Sequence, residues 1–136
     1  MNQERGRPDA NYCFVCGPDN PGGLQIEFRM DGDVCRASFV PGNHHVGYDN
    51  MAHGGIVYSV LDDVMANWLF LQGIRAHTAK CEIRYREAVE LGTELVLEGR
   101  LLKRKGRMAV MEGQAARASD MKVVADAQAS FMIVDE

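Results

Sequence analysis

One apolar run of helix length, residues 55–72, stands alone in a chain whose other periodic segments all read as strands. Within it Val57, Val60, Leu61, Val64, Trp68 and Leu71 recur at helical spacing and form one stripe. Gly73 follows as a plausible C′ residue that stops the helix. Before this run, residues 24–30 alternate apolar and polar like a half-buried strand. Asp31-Gly32-Asp33 carries a hairpin signal, and Val34 to Val40 answers as a second strand. After it, residues 79–85, 94–102, 108–118 and 123–134 have strand character, joined by short turns. Residues 13–23 and 41–52 are rich in turn formers and read as loops. Two strands, a long helix, then four strands with short connections predict an α+β fold, one helix packed on an antiparallel sheet.

The 136 residues suit a single domain with a working core, predicted over 13–136 after a polar, flexible tail at 1–12. A net charge of −4 argues against nucleic acid as a partner. The longest apolar run contains Asp62 and Asp63, which argues against a membrane span. The first residues, Met1 to Arg7, lack the apolar region of a signal peptide. A cytoplasmic protein is the expectation, and Cys13, Cys16, Cys35 and Cys81 are then reduced thiols.

The chemistry-bearing residues cluster on the helical run. Gly54 and Gly55 at its mouth leave backbone N–H groups open to a ligand at the positive end of the helix. Asp62 and Asp63 sit two turns further on. A donor for a developing negative charge and a carboxylate able to activate water are the minimal parts of an acyl-transfer site. The competing reading of an acidic pair on a helix is a solvated face, and the apolar neighbours Val60, Leu61, Val64 and Met65 weigh against it for Asp62.

Cys13-Phe14-Val15-Cys16-Gly17, then Asn20-Pro21 and Gly23-Leu24, then His53-Gly54-Gly55 with Asp62 nine residues after the histidine, resemble the hotdog-fold thioesterases. The similarity spans about Cys13 to Val134, and the phenylacetate-pathway acyl-CoA thioesterases are the branch it matches most closely. The resemblance implies a hotdog fold, an antiparallel sheet wrapped around one central helix, assembled as dimers or pairs of dimers. It implies an acyl-CoA substrate and hydrolysis without metal or other cofactor. Gly54 matches the N–H that polarises the thioester carbonyl, and Asp62 matches the catalytic carboxylate. Thr78 matches a residue that positions water, and His53 one that shapes the oxyanion loop and contacts substrate. The loop before His53 departs from the pattern. Val46 and Gly47 stand where many relatives carry Asn or Gln, so either His45, Asp49 or Asn50 takes that role against substrate or the role is missing.

Gly54 and Asp62 are eight residues apart, about 12 Å along a helix and roughly 80° apart in facing. One carbonyl cannot meet both within a chain, so an enzyme built on these parts requires a two-fold dimer with two shared sites. The carboxylate then acts as a general base or as a nucleophile. Two other readings use the same residues: a hydratase or dehydratase pairing His53 with Asp62 or Asp49, and a non-catalytic acyl-CoA-binding protein. The basic tip, Lys103, Arg104, Lys105 and Arg107, suits the phosphates of coenzyme A. Cys13 and Cys16 offer half a zinc site, but no second Cys pair follows, so they read as part of a structural loop.

Overall fold

A computed structural model of the protein describes residues 9–136. Strands β1 (Arg29–Asp31) and β2 (Val34–Phe39) form a hairpin, with Gly32 in the left-handed region at φ 64°. Helix α1 spans Gly54–Phe70 and is followed by β3 (Arg75–Tyr85), β4 (Leu95–Lys105), β5 (Met108–Arg117) and β6 (Val123–Asp135). The six strands form one antiparallel sheet in the order β1-β2-β4-β5-β6-β3. The sheet wraps α1, which packs against β2, β3, β4, β5 and β6. This is the hotdog architecture that the resemblance implies.

Small inward side chains allow that wrap. Ala37 on β2, Ala109 and Ala115 on β5, and Ala125, Ala127 and Ala129 on β6 are all buried, with larger groups such as Leu95, Leu97, Met111 and Phe131 between them. At the centre Gly99 of β4 pairs with Gly113 of β5. A Cβ on Gly99 would lie 2.6 Å from the Val64 carbonyl oxygen and 2.9 Å from its carbonyl carbon. The helix backbone therefore rests directly on the sheet, where no other residue fits. From the helix, Val57, Val60, Leu61, Val64, Met65 and Leu69 complete the core. The opposite face of the sheet is charged: Arg36 pairs with Asp31 and Glu98, and Arg100 reaches Glu98 and Glu112.

The structure corrects the reading of residues 24–30 as a strand. Only Arg29–Asp31 join the sheet, and Gln25 has φ 53°. Leu24 N–H and Ile26 N–H instead donate to the carbonyls of Phe14 and Val15, so this stretch pairs with the N-terminal loop. Ile26 is buried, and Leu24 and Phe28 pack against the core. The alternation records one covered face, not sheet membership. The helix stripe also shifts. Met65 and Leu69 are buried, whereas Leu71 is 42% exposed and Trp68 turns its indole N–H to the Asp33 carbonyl, 2.8 Å away. Leu71 is the C-cap, and Gly73 at φ 81° reverses the chain just beyond it. Most of the predicted tail at 1–12 lies outside the described residues.

Gly99→Ala is expected to destabilise the protein by about 2 kcal/mol or more, because the added methyl meets backbone that has no room to yield. Urea unfolding should show a lower midpoint at an unchanged slope. A wild-type midpoint would mean that α1 does not rest on Gly99.

Candidate functional site

The site is built where α1 lies antiparallel beside β3. Helix residues 54, 58 and 62 are spaced four apart and share one side of α1. Each faces a β3 residue. The Tyr85 hydroxyl donates to the Gly54 carbonyl at 2.8 Å. Tyr58 lies beside the Cys81 thiol, and that contact, with burial, pushes its pKa up to about 12. The Thr78 hydroxyl donates to Asp62 Oδ1 at 2.8 Å.

A β-bulge makes these three meetings possible. The register of β3 against β6 shifts between Thr78 and Lys80. On the C-terminal side of the shift Cys81 and Ile83 pack against the core and Tyr85 reaches the helix. On the N-terminal side Ala76 packs inward and Thr78 meets Asp62. Inward positions are odd after the bulge and even before it. A regular strand would have turned Thr78 to the opposite face.

Burial raises the Asp62 pKa above its ordinary value of 3.8, and the Thr78 hydrogen bond opposes that rise without cancelling it. Its second oxygen, Oδ2, has no hydrogen-bond partner among the described residues. Asp63, the next residue, turns about 100° away round the helix and faces the N-terminal loop, where Asn67 Nδ2 donates to its Oδ2 at 3.0 Å.

At the helix mouth His53 is the N-cap. Its Nδ1 accepts the Gly55 N–H at 2.8 Å, leaving Nε2 as the proton-bearing nitrogen of the neutral ring. Gly55 thus spends its N–H inside the chain. A Cβ there would lie 3.0 Å from His53 Nδ1, so glycine suits the cap. Gly54 N–H, the first of the helix, has no intrahelical acceptor and no other backbone acceptor among the described residues. His53 is placed by its own N–H, which donates to the His45 carbonyl at 2.7 Å. His45 in turn accepts the Gly42 N–H on Nδ1, and burial together with neighbouring His44 lowers its pKa.

Gly47 explains part of the unusual loop. Its missing Cβ would sit 3.2 Å from His53 Cα, so the loop closes onto the cap there, and Val46 bridges to Ala52. Asn50 is exposed, in the left-handed region at φ 66°, and its carbonyl accepts the Leu91 N–H. Asp49 is exposed as well. A cavity of about 310 Å³ opens beside Gly54, lined by Ala52, Val57, Tyr85, Ala88 and Val89 among others. A larger hollow of about 690 Å³ lies on the charged outer face and contains none of these residues.

The basic tip is more committed than its sequence suggests. Arg104 makes a two-pronged pair with Glu136, and Arg107 Nε donates to the Ile133 carbonyl at 2.9 Å. Lys103 and Arg104 still belong to β4, and Gly106 makes the turn at φ 61°. Along the sheet, Arg104 lies opposite Ala109, Ala109 opposite Phe131 and Phe131 opposite Thr78. The tip therefore sits in the same row as Thr78, three strand spacings or roughly 14 Å away.

Sequence reasoning missed Tyr58, Cys81 and Tyr85. The first two rungs follow from four-residue spacing on α1. The strand side follows only once the bulge is known.

The described residues contain no helix long and apolar enough to cross a membrane. No match was found among curated protein sequences. Solved structures match the fold closely. A hypothetical thioesterase protein from Streptococcus pneumoniae TIGR4, solved with coenzyme A, superposes with a TM-score of 0.76 at 19% identity, over 82% of this chain and 90% of that one. Zebra fish thioesterase superfamily member 2 gives 0.77 at 14% identity, over 92% and 94%. A phenylacetic acid degradation-related protein from Ralstonia eutropha JMP134 gives 0.71 at 22% identity, over 80% and 85%. The family model of the thioesterase superfamily matches residues 49–124, more than half of the chain and the part that carries His53, Gly54, Asp62 and Thr78. By that match the chain belongs to the thioesterase superfamily.

Proposed function

We propose that the protein hydrolyses acyl-CoA thioesters to a carboxylate and free CoA, at two sites shared across a homodimer. The observation that carries this reading is Asp62: a carboxylate half-buried by α1 and β3, oriented through one oxygen by Thr78, with the other oxygen left for water or substrate. Thr78 acts by holding the carboxylate, which in turn directs the water. The Gly54 N–H binds the thioester oxygen as negative charge develops, and His53 sets the direction of that N–H through its cap on Gly55. The apolar cavity beside Gly54 suits the acyl group.

Two features support the shared site. The Gly54 and Asp62 rungs lie at the mouth and the middle of α1, about 12 Å apart by helical rise. Strand β3, which carries Thr78 and Tyr85, is an edge of the sheet, so a second copy can pair along it and bring each Asp62 to the other chain's Gly54. A pair of such dimers is the assembly that the resemblance implies. The Streptococcus pneumoniae protein is also known in two variants, with an aspartate or a threonine changed to alanine, sixteen positions apart; Asp62 and Thr78 have that same separation. In this reading the cationic tip in the row of Thr78 receives the coenzyme A phosphates, with Lys103 and, on release from Glu136 and the Ile133 carbonyl, Arg104 and Arg107 as the contacts, and Asn50 at the mouth. A hydratase would need His53 as its base, and the Gly55 N–H occupies the Nδ1 lone pair of that ring.

A panel of aryl, short-chain and long-chain acyl-CoA, read by release of free thiol, tests the activity. Asp62→Asn should lower kcat/KM by about 10²-fold or more on whichever substrate turns over. Thiol release no faster than this variant across the panel would remove the thioesterase reading, and unaltered ligand affinity without turnover would make the protein a binder.

The shared site is tested by subunit exchange. Gly54→Pro deletes only the proposed donor, because proline is tolerated at the first helical position and His53 already has the extended backbone a following proline needs. Mixed Asp62→Asn and Gly54→Pro dimers should regain one intact site per hybrid. Proven exchange without regained activity counts against the arrangement.

The carboxylate also has a measurable cost. Its folded pKa lies above the unfolded value, so between the two the native state holds more protons and stability falls as pH rises. Above the folded pKa the whole penalty is present. Asp62→Asn removes it while keeping an acceptor for Thr78. The variant should melt a few °C higher than wild type at about pH 8, with the gap closing towards about pH 4. A gap that widens on acidification would reverse the assigned sign.

A further inference from the structure

The Cys-x-x-Cys-Gly turn has no part in the site just described, yet it is built with care. A Cβ on Gly17 would fall 2.4 Å from Cys13 N and 2.6 Å from its carbonyl oxygen, so the turn closes only with glycine. The loop docks through Leu24 and Ile26 on the Phe14 and Val15 carbonyls, and Cys16 is buried. Cys13 Sγ lies 3.9 Å from both carboxylate oxygens of Asp63, fifty residues along the chain. One donor atom from each of Cys13, Cys16 and Asp63 falls within 4.8 Å of the others. Tetrahedral zinc, with bonds of about 2.3 Å to sulfur and 2.0 Å to oxygen, sets donor separations of roughly 3.5–3.8 Å. A contraction of about 1.3 Å or less would seat the ion.

The surroundings fit an ion better than packing. Asn67, only 3% exposed, directs its amide to Asp63 Oδ2 at 3.0 Å and to Cys16 Sγ at 3.7 Å. The Cys16 N–H donates to Cys13 Sγ at 3.5 Å. N–H donors to sulfur favour thiolate over thiol, and an amide that orients a ligating carboxylate is the usual outer partner of a metal. Two thiolates and a carboxylate suit zinc, which takes sulfur and oxygen donors without redox change.

We propose that Cys13, Cys16 and Asp63 bind one zinc ion, oriented by Asn67 and completed by water, clipping the N-terminal loop to α1 on the side away from Thr78. Each thiol gives its proton to solvent as the zinc–sulfur bond forms, so no oxidant or reductant takes part. The site stands independently of the thioesterase reading, and chain spacing hides it, because the third donor comes from the helix.

Reduced, metal-stripped protein titrated with Co²⁺ tests it. Thiolate-to-cobalt charge-transfer absorption should saturate at one ion per chain and vanish on adding zinc. Cys16→Ser should lose that absorption, and Asp63→Asn should weaken Co²⁺ binding about 10-fold or more. Saturating zinc should raise the melting temperature of the wild type by roughly 5–10 °C and leave Cys16→Ser unmoved. Absence of the charge-transfer absorption in wild type, or an equal zinc-induced rise in Cys16→Ser, would overturn the site.

Discussion

Backbone contact between α1 and β4 at Gly99 governs this structure. A helix normally keeps about 10 Å from its packing partner because side chains stand between them. Here the Val64 carbonyl occupies the space a Cβ would need. The sheet can close round the helix only because its inward residues are small, and Ala and Gly fill the central rows of β5 and β6. That depth puts the flank of α1 level with β3, and the three meetings at Gly54, Tyr58 and Asp62 follow. A helix held further out on larger side chains would leave Asp62 in water and Thr78 unpaired.

Burial at this depth has an electrostatic consequence. Asp62 loses water as α1 settles, which disfavours its charged form, and a single hydroxyl from Thr78 returns part of that solvation. A second donor would hold the carboxylate more firmly ionised but would occupy Oδ2 and weaken it as a base. One donor leaves the group oriented, with Oδ2 open. The helix mouth shows the same economy. His53 satisfies Gly55, and the neighbouring Gly54 N–H is left open at the positive end of the helix.

The central helix, the two strands before it and the four after it were legible because hydrophobic periodicity reports burial directly. That same property misled at residues 24–28, which pair with the Phe14–Val15 loop through Leu24 and Ile26 and lie outside the sheet that begins at Arg29. It erred again at the end of α1, where Leu71 extends the stripe on paper but caps the helix in space. Gly54 and Asp62 were nominated from chemistry and Thr78 from family likeness. The contacts of Thr78 depend on a one-residue bulge between it and Lys80, and nothing in the alternation of β3 announces it. Arg104 and Arg107 looked uncommitted because Glu136 and the β6 carbonyls are distant in sequence.

Adjacent aspartates on one helix end with separate duties because about 100° divides neighbours. Asp62 faces β3 and the open edge of the sheet, where the Thr78 hydroxyl orients it. Asp63 faces the Cys13–Cys16 loop, with Asn67 one turn below holding its oxygen. With Gly99 against Val64 on a third side, the middle of α1 is fixed from three directions within two residues of Asp62. The ends of the helix are held differently, the mouth by the His53 cap and the Tyr85 hydroxyl, the far end by the Leu71 turn and the Trp68 bond to the Asp33 carbonyl. The carboxylate thus sits where three neighbouring elements meet the helix, and the Gly54 end is held mainly by the Tyr85 hydroxyl and the loop that closes on Gly47.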